Sequence, residues 1–199
     1  MAMIHREEIE WCDIWVTGAD AAGRPRLLLA GDSITRSYYG YVRDRLSDRY
    51  AVARFATSKC VADPAFFREL ELVLAEHTFA RIHFNNGLHG WGYDESAYAA
   101  GLARALDRLL AHGGAGSLTW GSTTPVWEAG RDVLAPRTAR VRERNRLAAD
   151  LARERGLSVN DLFAAVVDRP ELVSKDGIHF LEAGEAVLGR CVVDALEAT

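Results

Sequence analysis

Short apolar runs and amphipathic stripes alternate along the chain. Leu27, Leu28 and Leu29 form a continuous apolar run, the pattern of a strand covered on both faces. Four further runs predict strands: YAVARFA from Tyr50, ARIHFNN from Ala80, SLTW from Ser117 and LSVNDL from Leu157. Helical stripes fill the intervals. Asp32, Ser33 and Thr35 are helix-starting types, and Tyr38, Tyr39 and Val42 follow at helical spacing. Asp63-Pro64 reads as an N-cap with proline at the first helical position, ahead of Phe67, Leu70, Val73 and Leu74. A third helix from about Asp94 carries Tyr98, Leu102, Leu106 and Leu109, and Gly113-Gly114 stops it. The Arg-rich segment from Arg137 to Gly156 has an apolar stripe of Val141, Ala148, Leu151 and Ala152, with its arginines on a solvated face. A last helix from about Leu181 turns Leu188, Val192 and Leu196 inward.

Strict alternation of strand and helix predicts a parallel sheet with helices on both faces. The expected class is α/β: a three-layer α/β/α sandwich on a five-stranded parallel sheet, flavodoxin-like in style. Residues 1–199 are expected to form one domain, with 1–25 as an N-terminal extension packed on it. Trp11 and Trp15 of that extension are either packing residues or the rim of a pocket.

Composition narrows the function classes. With 49% apolar and 26% charged residues the chain is an ordinary globular one. A formal net charge of −4 gives no electrostatic reason to expect nucleic acid. No stretch is long and apolar enough to span a membrane, so no membrane partner is expected. Cys12, Cys60 and Cys191 are odd in number and scattered, against a disulfide framework. The N-terminal residues show no signal-peptide core, so the expected location is cytoplasmic; an exported form with its signal removed is the alternative.

The chemistry gathers at two places. In LLLAGDSITRSYYG, Ser33 stands where a buried strand ends and a helix begins, the corner where open α/β sheets place ligands and where helix amides are unpaired. A serine there can attack a carbonyl while its own amide holds the oxyanion; the plain alternative is a turn with a helix cap. In SKDGIHFLEAGEAVLG, Asp176 and His179 stand three residues apart on the loop before the last helix, where His179 can take a proton from Ser33 and Asp176 can orient the imidazole. His83 and His89 lack a partner at metal-ligand spacing, so no metal is expected and His83 reads as a buried, hydrogen-bonded residue.

Together, Gly31-Asp32-Ser33-Ile34-Thr35 and Asp176-Gly177-Ile178-His179 make the chain resemble the SGNH (GDSL-type) hydrolases from about Leu27 to Leu196. It does not follow the other serine-hydrolase pattern, G-x-S-x-G, because Thr35 stands in place of the second glycine. The resemblance implies Ser33 as nucleophile, His179 as general base and acid, and Asp176 as its orienter. It also implies an oxyanion hole made with the Ser33 amide, a second amide after the second strand and an asparagine side chain after the third. The family glycine of the second block is missing, and Ser58 in FATSKC is the candidate amide, with Lys59 next in line. The third block reads His83-Phe84-Asn85-Asn86, giving Asn85 the side-chain role, or Asn86 if the register slips by one. His89, Trp91 and Thr124 (in WGSTTPVW) are candidate substrate contacts.

The expected activity is hydrolysis of carboxylic esters through an acyl-enzyme, with no cofactor and a small-molecule ester as partner. Short-chain or acetyl esters of a carbohydrate-like alcohol lead. A lysophospholipase or thioesterase of the same family, or a non-catalytic ester- or glycan-binding relative, is the alternative. The oligomeric state is not legible.

Overall fold

The apolar runs pair side by side. A computed structural model describes residues 3–20, 23–114 and 116–198. In it β1 (Cys12–Val16), β2 (Arg26–Gly31), β3 (Ala51–Thr57), β4 (Arg81–Phe84), β5 (Leu118–Gly121) and β6 (Ser158–Asn160) form one sheet in the order β1-β3-β2-β4-β5-β6. The strands from β2 to β6 are the five expected parallel ones. The sixth corrects the expectation: the N-terminal extension supplies β1, antiparallel to β3 at one edge. Its residues are exposed or half-buried, so no apolar run marks it. It is held by its ladder with β3 and by Arg54, whose guanidinium donates to both oxygens of Asp13 at 2.8 and 3.0 Å. Residues 1, 2, 21 and 22 of the extension lie outside the described residues.

Helices α1 (Ser33–Leu46), α2 (Pro64–Leu74), α3 (Glu95–Gly113), α4 (Thr138–Glu154), α5 (Leu162–Val166) and α6 (Glu182–Glu197) cover the sheet. Successive β2 side chains point to opposite faces, as the pleat requires. Leu28 and Ala30 enter one core with α2 and α3, while Leu27 and Leu29 enter the other with α1, α5 and α6. Both layers are apolar, which explains why β2 reads as an unbroken hydrophobic run.

Two details differ from the sequence pattern. On α2 it is Phe66, fully buried, that faces the core against Phe55 and Phe84, and Phe67 is only half-buried. On α4 the arginines are not all solvated. Arg144 has no exposed surface and donates to the carbonyls of Gly87 and His89, both at 2.8 Å, and of Gly90 at 3.2 Å. A guanidinium is tolerated inside because these carbonyls take its terminal N–H groups and Glu95, 3.5 Å from Nε, supplies the opposite charge.

The chain leaves β2 for β3 on one side and returns to β4 on the other. The crevice beyond the carboxyl ends of β2 and β4 is therefore a topological switch point, the place where open α/β sheets bind ligands. Ser33 follows β2 directly, and residues 85–93 follow β4. Replacing the core ring, Phe66→Ala, is expected to lower the unfolding free energy by about 3–5 kcal/mol. Leu72→Ala, at an exposed position, is expected to stay within about 0.5 kcal/mol of wild type in the same urea titration.

Candidate active site

Three short segments build the site. The first is the β2–α1 corner. A Cβ on Gly31 would lie 2.1 Å from Thr35 Oγ1 and 2.7 Å from the Asn85 carbonyl, so only glycine lets the corner close. Asp32, with no exposed surface, caps α1 by accepting from the Ile34 N–H at 3.0 Å. Ser33 is thereby the first helical residue, and its own N–H makes no hydrogen bond among the described residues. Burial pushes the Asp32 carboxyl up from its ordinary value, opposed first by the facing charge of His89 and then by the Ile34 N–H.

The second segment is the loop before α6. Val173 and Phe180 bridge its ends, and the Ser174 N–H donates to the His179 carbonyl at 2.8 Å. Gly177 has φ 77° and packs its Cα against the Trp127 carbonyl, where a Cβ would stand 2.3 Å from the oxygen. Inside the turn, Asp176 Oδ1 accepts from Ile178 N, His179 N and Ser174 Oγ at 2.7–2.9 Å. Its Oδ2 accepts from His179 Nδ1 at 2.6 Å. Partial burial acts to raise the Asp176 carboxyl, but the His179 ring bond and the two backbone amides outweigh it, so the group sits well below the usual carboxylate range.

The two segments meet at His179. Its Nδ1–H is given to the Asp176 carboxylate, which leaves the Nε2 lone pair facing Ser33; the Ser33 hydroxyl donates to it at 2.9 Å. Ser33, His179 and Asp176 are thus brought together as expected, in one hydrogen-bonded chain across 146 residues of sequence. A serine hydroxyl aligned on an imidazole that a carboxylate orients can give up its proton as it attacks.

The third segment, after β3 and β4, departs from expectation. Ser58 was the candidate amide, but its N–H donates to the Trp11 carbonyl at 3.1 Å because the N-terminal extension pairs with this edge. Farther along the same loop, the Cys60 N–H makes no hydrogen bond among the described residues, while the Lys59 and Val61 amides are taken by Thr57 Oγ1 and Asn86 Oδ1. Neither asparagine amide is free as expected. Asn85 Nδ2 donates to the Gly121 and Ser122 carbonyls at 2.9 and 3.0 Å. Asn86 Nδ2 donates to the Lys59 carbonyl at 3.0 Å. Both asparagines are buried and brace the ends of β3, β4 and β5.

The other candidates separate. His83 is fully buried; the Asn160 amide donates to its Nε2 at 3.1 Å, its Nδ1 faces Tyr38, and burial pulls its basicity down to about 3. Thr124 is buried with its hydroxyl unpartnered among the described residues. Trp91 packs beneath the guanidinium groups of Arg137, Arg140 and Arg144, 4.6–5.5 Å from their carbons. His89 Nδ1–H donates to Glu7 Oε1 at 2.9 Å, and its buried Nε2 makes no hydrogen bond among the described residues. Sequence reasoning missed Cys60 and Glu7 because both depend on where the N-terminal extension packs; the weak alternation of Cys12, Ile14 and Val16 was the available signal. Among the described residues no group of His, Cys, Asp and Glu side chains could hold a metal ion.

Solved structures share this fold. Axe2, an acetylxylan esterase from Geobacillus stearothermophilus, is 17% identical and matches over 86% of this chain and 94% of its own, with a TM-score of 0.69. The lipase/acylhydrolase from Enterococcus faecalis is 19% identical over 87% and 96%, with a TM-score of 0.69. A GDSL-like lipase from Bacteroides thetaiotaomicron is 16% identical over 90% and 94%, with a TM-score of 0.70. The chain therefore has the SGNH (GDSL-type) hydrolase fold. No protein-family model and no curated protein sequence matches it.

The low-lying Asp176 carboxyl gives a signed prediction. Its hydrogen bonds stabilise the folded state above the ordinary carboxylate value of 3.8 and are lost as pH falls through the lower folded value. Wild type is expected to lose stability faster than Asp176→Asn as pH drops below about 4 in chemical denaturation. Parallel pH curves would show that the carboxylate carries no such linkage.

Proposed function

We propose that the protein is a serine esterase that cleaves short acyl esters, acetyl foremost, from a carbohydrate-like alcohol. The observation that carries this reading is the Ser33–His179–Asp176 hydrogen-bond chain at 2.9 and 2.6 Å. Ser33 Oγ bonds to the acyl carbon as its proton passes to His179 Nε2, and the carbonyl electrons become an oxyanion. The Ser33 and Cys60 N–H groups, which make no hydrogen bond among the described residues, are the donors we assign to that oxyanion. Collapse breaks the bond to the alcohol, which leaves with the proton from His179. Water then gives a proton to His179, attacks the acyl-enzyme, and releases the acid as the proton returns to Ser33.

The leaving alcohol must lie within reach of His179. Beside that loop is a cleft of about 510 Å³, lined by Val126, Trp127, Pro136, Arg137, Asp176 and Ile178 among others. Its size is that of a small-molecule site, and its tryptophan and arginine suit the apolar faces and hydroxyls of a sugar. Two acetylxylan esterases among the proteins of this fold are in keeping with an acetylated carbohydrate.

The test is hydrolysis of p-nitrophenyl esters and an acetylated xylooligosaccharide by wild type and Ser33→Ala. The expected result is kcat/KM at least about tenfold higher for acetyl than for octanoyl ester, with about a thousandfold or greater loss in Ser33→Ala. A preference for the long chain would overturn the substrate assignment, and equal rates in the two proteins would overturn the mechanism.

A further inference from the structure

Arg137, Arg140 and Arg144 stand three and four residues apart, so they share one face where α4 begins. All three guanidiniums converge on Trp91, in the loop after β4, at 4.9, 5.5 and 4.6 Å from its ring centre. The tryptophan face attracts each cation, but like charges at this spacing repel one another.

This face is short of negative charge. Glu95 is the one carboxylate within salt-bridge distance of the three among the described residues, 2.7 Å from Arg140 and 3.5 Å from Arg144. Arg144 also has its three carbonyls, and Arg140 donates to the carbonyls of Trp91 and Tyr93 at 2.8 and 2.7 Å. Glu7 lines a small cavity together with Trp91, but its carboxylate is bonded to His89 at 2.9 Å. Arg137 is the outermost of the three: it is exposed, rests on Trp91, and makes no ion pair or side-chain hydrogen bond among the described residues. The chain as a whole carries a formal charge of −4, so this excess of positive charge is local.

Arg137 also lines the cleft of about 510 Å³ beside the catalytic loop. Two carboxylates share that lining, and both are matched. Glu128 is paired with Arg131 at 2.8 Å, and Asp176 with the His179 ring at 2.6 Å. Arg137 is the one charged residue of the lining left without an opposite charge among the described residues. Its place relative to the triad is fixed. The adjoining Thr138 hydroxyl accepts from the Val126 N–H at 3.0 Å, and the Trp127 N–H donates to the Gly177 carbonyl at 2.7 Å, inside the Asp176–His179 turn.

We propose that Arg137 is the anion-binding residue of the leaving-alcohol cleft, taking the carboxylate or phosphate of an acidic sugar whose acyl ester is cleaved at Ser33. A guanidinium presents a planar fork of donors that suits either group, and Trp91 holds that fork at the cleft while Arg140 and Arg144 add to the attraction. The substrate class is then an acylated acidic saccharide, rather than a neutral one. The inference rests on the esterase reading above.

The test has a binding arm and an activity arm, both on the full chain. Calorimetry compares glucuronate, glucose 6-phosphate and glucose on wild type, Arg137→Gln and Arg104→Gln. Arg104, exposed and stacked on Phe67 at 4.3 Å, removes the same charge without touching the cleft. One of the two anionic sugars is expected to bind at least about tenfold more tightly than glucose, an advantage lost in Arg137→Gln and kept in Arg104→Gln. Whichever anion binds more tightly tells carboxylate from phosphate. Equal affinity for all three sugars, an advantage that survives Arg137→Gln, or one that falls equally in Arg104→Gln overturns the inference. The activity arm measures acetate release from the acetylated methyl glycosides of the same sugars. The anionic one is expected to show kcat/KM at least about tenfold above the neutral one in wild type and within about twofold of it in Arg137→Gln, with the change carried by KM. A neutral sugar cleaved as efficiently as the anionic ones also overturns it. Acetate release no faster in wild type than in Ser33→Ala would instead overturn the esterase reading, while the calorimetry still reports the anion site.

Discussion

A single buried carboxylate organises the carboxyl edge of the sheet. Asp32 caps α1 through the Ile34 N–H, and that bond fixes both the Ser33 side chain and the direction of the first helical amides. Burial raises the Asp32 carboxyl from its ordinary value, so its polar atoms have to be matched by the groups around it. Gly31 brings the Asn85 backbone against the corner, and the Ile34 N–H closes it from the helix side. The geometry of the nucleophile and the charge state of its neighbours are therefore one problem.

The same edge shows how hydrogen-bond supply is divided between scaffold and chemistry. Asn85 and Asn86 use their side-chain amides to lock the loops after β3, β4 and β5. Buried amides left unpaired would be costly, so this bracing is the stable use of them. The backbone N–H groups of Ser33 and Cys60, by contrast, make no hydrogen bond among the described residues. Any non-proline residue offers such a donor, so a backbone donor on that loop does not require glycine.

Legibility in the sequence followed physical range. β2, β3, β4 and β5 were readable because burial on both faces writes an apolar run, and the caps at Asp32 and Asp63 were readable because capping is local. The partnership of Ser33, Asp176 and His179 could be read because both segments carry distinctive residue spacings. β1 was missed because an edge strand with exposed residues carries no such run. That omission displaced the amide assignment, since pairing with Trp11 consumes the Ser58 N–H. Arg144 read as surface because nothing local reveals three carbonyls waiting for its guanidinium.

The claim that the rest depends on is that Ser33 is a nucleophile activated by His179. Labelling with a fluorophosphonate, followed by intact mass and peptide mapping, tests it without knowledge of the substrate. The account predicts one rapid adduct, on Ser33, absent from Ser33→Ala and at least about a hundredfold slower in His179→Ala. An unlabelled Ser33, or equal labelling rates with and without His179, would contradict it.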